Sequence, residues 1–322
     1  MRVLPSPPRE RRRLLHETSR AKRLTVECTP PLTKVPMTKL RVLLTGASTG
    51  IGKISAIHLA RQGFHVMATV RKESDAAALR AENVPGLEPV ICDVDKLEDI
   101  ERVGQLIDAQ KEGLYALINN AGFNYNAPFE YTVESRARAM METNFFGLYR
   151  LSQRMIPALR KGAESSGRTS KLINVSSIGG SLGLPWEPFY HASKFAVNGL
   201  SESMRLELYN QNIRVVIVQP GGIRTDFMPK TDESLKRVLA EMPEEGRARY
   251  GKGLETMRGS MPAADKFLSP PEAVAKAFTR ILNKQNPGFR TWVGIDARLL
   301  YWMHRILPFG LFHALIRRGF GA

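Results

Sequence analysis

From residue 40 to residue 219 the chain alternates short apolar runs with helix-forming stretches, and this alternation limits the fold more than any other feature. Residues 40–45, 64–70, 88–92, 114–119, 171–176 and 214–219 read as strands. The segments between them read as helices over 53–62, 73–83, 97–111, 133–161 and 190–209, with a polar loop at 162–169. Strands that alternate with helices pair in parallel through crossover connections, which place helices on both faces of the sheet. The prediction is an α/β fold with a doubly wound parallel sheet. It has about seven strands once residues 290–293 are added as the last.

The pattern loosens after Pro220. Residues 225–268 carry Met228, Met242, Met257 and Met261 between proline and glycine breaks and read as a mobile flap over a substrate. Residues 271–284 return to helix, and 296–322 form a basic, apolar C-terminal helical extension of the same domain, which spans 39–295. Residues 1–38 are Arg- and Pro-rich, with nine Lys or Arg and three Glu, and read as a disordered tail. They hold no secretory apolar region, and a transit peptide is the weaker alternative. Met37, just before ordered structure begins, can serve as the true start.

Charge is uneven. Of the net +16, the first 38 residues contribute +6, and Arg298, Arg305, Arg317 and Arg318 add +4 with no acid after Arg298. Without a nucleic-acid motif, a basic balance at the two ends suits an anionic membrane surface better than nucleic acid. The apolar stretch from Ile306 to Ile316 is eleven residues, short of the ~20 that cross a bilayer. The two cysteines, Cys28 and Cys92, give neither a disulfide framework nor a metal-ligand spacing. The expectation is a cytoplasmic protein without metal, peripheral to a membrane if its C-terminal segment lies on one.

Gly46-Ala47-Ser48-Thr49-Gly50-Ile51-Gly52 joins the first strand to the first helix. In that setting glycines admit a pyrophosphate close to the backbone, and the helix N-terminus favours its charge. The spacing is not GxGxxG, and a glycine turn can be purely structural. The second strand ends in Val70-Arg71-Lys72 where an acid would bind ribose hydroxyls. Arginine suits a 2′-phosphate, which favours NADP(H) over NAD(H); the alternative is a solvated basic pair. Asp93, after the third strand, can accept from an adenine amine or cap a helix. Of the eight tyrosines only Tyr190 has a lysine four residues on, Lys194. On a helix the two share a face, and an ammonium beside a phenol lowers the phenol pKa toward the range of a proton-transfer group. Ser177, thirteen residues before Tyr190, ends the fifth strand.

With these residues in view the chain resembles the short-chain dehydrogenase/reductase family over roughly residues 39–225. The matching motifs are the turn 45–52, Asn119-Asn120-Ala121-Gly122, Asn144, Ser177, Tyr190-His191-Ala192-Ser193-Lys194 and Pro220-Gly221-Gly222-Ile223-Arg224-Thr225. The resemblance implies a Rossmann-type domain and a nicotinamide cofactor. Tyr190 would then be the proton donor or acceptor, and Lys194 would lower its pKa and bind the nicotinamide ribose. Ser177 would hydrogen-bond the substrate oxygen, and Asn144 would help hold a relay water. Arg71 would select the 2′-phosphate and Asp93 would contact adenine. Gly46, Ser48, Thr49, Gly50, Ile51, Gly52, Asn119, Ala121, Ile223 and Thr225 would line the cofactor site.

Leu184, Trp186, Phe189, Phe227 and Met228 flank these motifs and suggest an apolar, aromatic-lined pocket, with Ser177, Trp186, Phe189 and Phe227 as substrate contacts. Residues 177–185 and 294–300 are similar, more weakly, to the retinol- and 17β-hydroxysteroid-dehydrogenase branch. The expectation is an NADP(H)-dependent oxidoreductase interconverting a carbonyl and an alcohol on a lipophilic small molecule, in a homo-oligomer that binds no nucleic acid. The alternative is a nucleotide-sensing regulatory protein on the same fold without turnover. His191 reads as a packing residue and Glu187 as a surface one.

Overall fold

A computed structural model describes residues 40–225 and 227–321; for residues 226–230, 261 and 263–265 nothing is said of the side chains. The expected tail at 1–38 lies outside the described residues. Seven parallel strands form one sheet: β1 (Arg41–Leu44), β2 (His65–Val70), β3 (Leu87–Ile91), β4 (Ala116–Asn119), β5 (Ser170–Val175), β6 (Ile213–Pro220) and β7 (Arg290–Val293), in the order β3-β2-β1-β4-β5-β6-β7. The order reverses between β1 and β4. Ligands of doubly wound sheets bind at such a switch point, beyond the carboxyl ends of the strands.

The central strands are continuous apolar runs because both faces are covered. On one face α1 (Gly50–Arg61), α2 (Glu73–Arg80) and α9 (Pro271–Asn283) bury Ala56, Leu59, Leu79, Val274, Phe278 and Ile281. On the other, α3 (Leu97–Asp108) and α5 (Leu148–Ser166) bury Ile100, Val103, Ile107, Leu151, Met155 and Leu159.

Three segments depart from the sequence reading. The helix expected over 133–161 is α4 (Glu134–Met141), a π-helical turn (Glu142–Gly147) and α5. The loop expected at 162–169 is the last turn of α5, closed by Gly167 at φ +64°, a left-handed stop that glycine adopts freely. The irregular flap expected at 225–268 is two helices, α7 (Phe227–Glu241) and α8 (Glu244–Ala264). Leu235, Val238 and Met242 recur at helical spacing and pack with Leu254 and Ala127, while Pro243 falls between the helices.

The remaining helix of the core, α6 (Pro188–Leu208), packs along β6. At the C-terminus α10 (Ile295–Ile306) and α11 (Phe309–Phe320) close over Ile178 and Leu182 with Ala297 and Phe312. Their outer faces expose Leu299, Trp302, Ile306, Phe309 and Leu311 beside Arg298, Arg305, Arg317 and Arg318. Among the described residues no helix is long and apolar enough to cross a membrane.

At the opposite end of the sheet from the switch point, the start of β5 buries a lysine completely. Lys171 Nζ donates to Thr169 O, to Thr169 Oγ1 at 3.0 Å and to Tyr115 Oη at 3.1 Å, and Tyr115 Oη donates to Leu282 O at 2.5 Å.

Candidate active site

The turn after β1 needs its glycines. Gly46 and Gly50 have φ of +71° and +55°, where a side chain is strained. A Cβ on Gly46 would lie 2.8 Å from Ala121 Cα, and one on Gly52 would lie 2.0 Å from Gly46 O. Two residues brace the turn against the end of β4. Thr45 Oγ1 accepts from Asn120 N and Ala121 N, each at 3.0 Å, and Asn120 Nδ2 donates to Thr45 O at 2.9 Å and Gly46 O at 3.2 Å. α1 starts directly behind it, with no side-chain cap at Thr49 and no acid in its first turn. Its leading N–H groups and positive dipole end are left for an anion.

A cavity of about 410 Å³ opens over this turn, within the size range of small-molecule sites. Its cofactor end is lined by Gly46, Ser48, Thr49, Gly50, Ile51 and Gly52. Arg71 after β2, Asp93 after β3, Ala121, Ile223 and Thr225 also line it. Arg71 is exposed, as a cation reaching a ligand at the rim would be. Asp93 Oδ1 accepts from Asp95 N at 3.2 Å, and the N-cap of α3 is Lys96, so Asp93 is not the helix cap. Asn119 does not line the cavity. It is buried, and its Nδ2 donates to Ser152 Oγ and Asn174 Oδ1, both at 2.8 Å, because its side chain alternates to the α5 side of the sheet. The close-approach glycines, the uncapped helix start and the rim cation fit a nicotinamide dinucleotide.

Ser177, Tyr190 and Lys194 line the other part of the same cavity. Ser177 follows β5 and accepts from Gly179 N at 3.0 Å, which fixes the turn Ile178–Gly180. Tyr190 and Lys194 lie one turn apart on α6. The pKa expectation is corrected here. Lys194 Nζ sits 5.8 Å from the Tyr190 ring centroid and donates to Val175 O at 3.0 Å. Burial pushes the Tyr190 phenol up to about 12; a hydrogen bond with Ser177 opposes this and the Glu187 carboxylate adds to it. Burial pushes the Lys194 ammonium down to about 8. Desolvation is the leading cause at both groups.

Asn144 is buried in the π-helical turn. Its Oδ1 accepts from Phe123 N at 2.9 Å, and its Nδ2 donates to Phe123 O at 3.0 Å and Ser193 Oγ at 3.1 Å. The side chain therefore pins the loop after β4 to α6 and does not itself line the cavity. On the far side, Gly222 N donates to Asp296 Oδ2 at 2.6 Å, so α10 holds the Pro220–Thr225 segment in place.

The expected aromatic substrate contacts lie elsewhere. Trp186, at φ +72°, packs edge-on against Tyr250 and donates to Phe320 O at 3.3 Å; it joins α6 to α8 and the C-terminus. Phe189 stacks on Phe129 with centroids 6.4 Å apart. Neither lines the cavity. The side chain of Phe227 lies outside the described residues. Phe123, Asn124, Asn126, Thr231 and Ser234 line it instead. The asparagines follow the Asn119–Gly122 motif closely enough to have been nominated. Nothing in the sequence points to Thr231 and Ser234 until α7 is known to be helical. Glu187 is also not a surface residue. Its Oε1 accepts from Asn124 Nδ2 at 2.8 Å and Asn126 Nδ2 at 2.7 Å. Among the described residues no group of three or more His, Cys, Asp or Glu side chains could hold a metal ion.

The profile of the short chain dehydrogenase family matches residues 40–236. The chain belongs to that family. A short-chain dehydrogenase from Burkholderia cenocepacia solved in complex with NADP superposes with a TM-score of 0.66 at 24% identity, over 88% of this chain and 99% of that one. A 3-ketodihydrosphingosine reductase of Bacteroides thetaiotaomicron is 34% identical over 81% of this chain and 90% of its own length. The human 11-beta-hydroxysteroid dehydrogenase type 2 is 33% identical over 86% of this chain and 70% of its own. As a short-chain dehydrogenase the protein is an oxidoreductase that acts on CH–OH groups with a nicotinamide cofactor.

Proposed function

We propose that the protein is an NADP(H)-dependent reductase of a ketone or aldehyde on a lipophilic small molecule. The observation that carries this reading is the shared cavity, with Arg71 at its rim and Ser177, Tyr190 and Lys194 on one wall. The glycine turn and the start of α1 would hold the pyrophosphate, and Arg71 the 2′-phosphate. When bound, the cofactor supplies the hydride.

The protein's own residues handle the proton. Tyr190, held protonated to about 12, donates its proton to the carbonyl oxygen as that oxygen gains negative charge. Ser177 Oγ accepts from Gly179 N and hydrogen-bonds the Tyr190 side chain, and its hydroxyl would turn to hold the same substrate oxygen. Lys194, charged below about 8, stabilises the phenolate left behind. Asn144, its amide committed to Phe123 and Ser193, would serve the site by holding Phe123 on the cavity wall. A phenol kept protonated at neutral pH is in the state from which reduction begins.

A long-chain ketone and a steroid are the substrate classes named by the relatives. The exposed apolar residues and arginines of α10 and α11 suit contact with an anionic lipid surface. The experiment is a panel of lipophilic ketones, aldehydes and alcohols with NADPH and NADH, presented in anionic and in neutral vesicles. Reduction with NADPH, fastest on anionic vesicles, is expected; turnover of none of the panel would sink the reading. Arg71→Ala should lower the NADPH-over-NADH preference about 10–100-fold, the loss of one charge-assisted phosphate contact of about 1.5–3 kcal/mol. An unchanged ratio removes Arg71 as the selector.

A further inference from the structure

Behind Tyr190 lies a polar cluster that the chemistry above does not use. Glu187 caps the start of α6, and its backbone carbonyl accepts from His191 N at 3.1 Å. Its carboxylate takes both amides of the cavity wall, Asn124 and Asn126, on one oxygen. Its second oxygen faces His191 Nε2 at 3.6 Å. His191 is buried, and its Nδ1 lies 2.9 Å from Gly179 O. A carbonyl only accepts, so Nδ1 carries the hydrogen, and Nε2 faces the carboxylate without a hydrogen-bond partner among the described residues. Gly179 in turn donates to Ser177 Oγ. A Cβ at Gly179 would lie 2.5 Å from His191 Nδ1, so the imidazole occupies space that only a glycine leaves.

We infer that Glu187 and His191 are positioning residues of the active site: through Gly179 they lock Ser177 to the first turn of α6, which carries Tyr190, and through Asn124 and Asn126 they lock the same turn to the cavity wall. This rests on the reductase reading above. The two hydroxyls that must meet one substrate oxygen come from different elements, the end of β5 and α6. Hydrogen bonds within those elements do not fix one against the other. Bonds from Lys194 Nζ to Val175 O and from Ser176 Oγ to Lys194 O tie the strand end to the second turn of α6. The link from His191 through Gly179 to Ser177 ties Ser177 itself to the first turn. Glu187, joined to His191 through the main chain of α6, ties that turn to Asn124 and Asn126. A misplacement of the order of 1 Å at such a site costs about 100-fold.

The test uses the full chain. Glu187→Ala and His191→Leu should lower kcat about 10–100-fold while leaving NADPH affinity unchanged. Glu187→Gln should restore most of the loss, because its oxygen still accepts from both asparagines and its amide still fills the space facing His191 Nε2. His191→Asn keeps a donor for Gly179 O, whereas His191→Gln keeps only the reach to Glu187, so kcat should be higher in the asparagine variant. Amide hydrogen exchange at Gly180 and Ser181, bonded to Ser177 O and Ile178 O, should quicken in the two truncations.

Normal kcat in both truncations, or Glu187→Gln as impaired as Glu187→Ala, overturns the inference. If the truncations fail to fold, the order of the two histidine variants decides, and glutamine equal to or above asparagine overturns it. If the wild-type protein turns over no substrate, the reductase reading has failed. The exchange rates then still decide the lock: no quickening in His191→Leu or Glu187→Ala refutes it.

Discussion

Strand β5 has a buried lysine and a tyrosine at each end, and the two pairs differ in what surrounds them. At the amino end Lys171 lies 4.8 Å from the Tyr115 ring centroid and hydrogen-bonds its hydroxyl; at the carboxyl end Lys194 lies 5.8 Å from that of Tyr190. Burial pushes both phenols up to about 12 and the lysines down to about 7 and about 8. By desolvation alone the two sites could not be told apart. Hydrogen-bond saturation separates them. Lys171 donates to Tyr115 Oη, Thr169 O and Thr169 Oγ1, and Tyr115 donates onward to Leu282 O. That pair closes the bottom of the sheet. Tyr190 and Lys194 line a cavity. A perturbed pKa therefore nominates a site here, and the open face beside it selects one.

Exchanging the perturbation between the two ends is the sharpest way to break this comparison. Tyr190→Phe should lower turnover about 10²–10⁴-fold, the usual contribution of a positioned proton donor, with an unchanged thermal midpoint. Tyr115→Phe should do the reverse, leaving kcat intact and destabilising the fold by about 1–3 kcal/mol as Lys171 and Leu282 O lose a partner. If both variants lose turnover alike, the two ends are not distinct in kind.

The pH dependence separates them next. Lys194 supports catalysis as the ammonium, present below about 8. The reduction rate should therefore fall above pH 8, by about tenfold per unit once well past it, and steady-state rates from pH 6 to 10 check this. A flat profile would deny Lys194 its charge role.

The smallest effect is on stability. Lys171 has a folded pKa of about 7 against an ordinary 10.5. Between those values the unfolded chain binds more protons, so this lysine makes stability rise with pH across that window. Its burden is fully present below about pH 7 and relieved as pH approaches 10.5. Lys171→Met should flatten the slope by up to about 1 kcal/mol per unit, read as thermal midpoints of variant and wild type between pH 7 and 10. An equal slope in both proteins would mean that Lys171 remains charged.

The sheet was legible because its strands are buried on both faces, so continuous runs such as Arg214–Gln219 carry the signal without any side-chain detail. The cofactor end was legible for a related reason. Glycines at 46, 50 and 52 are demanded by backbone approach, which depends on local sequence. The substrate end was not. Trp186 and Phe189 are large and apolar and stand near Tyr190 in sequence, yet packing against Tyr250 and Phe129 turns them from the cavity. The residues that replace them come partly from α7, whose helix is set by a distant partner, α8. Glu187 was misread because a carboxylate is expected in water. Only the fold brings two asparagine amides to it from a loop about sixty positions earlier.

The π-helical turn at Glu142–Gly147 acts as a phase shifter. One additional residue in a turn offsets every later side chain by about 100° around the axis. α4 can thereby present Ala137 and Met140 toward α6 while α5 presents Leu151 and Met155 to the core against α3. A single unbroken helix would keep one stripe for both. Substitutions along this segment alter contacts one at a time. Removing any one residue from it would rotate the whole of α5 out of register with the sheet and carry Asn144 away from Phe123, so the segment is far more sensitive to its length than to its spelling.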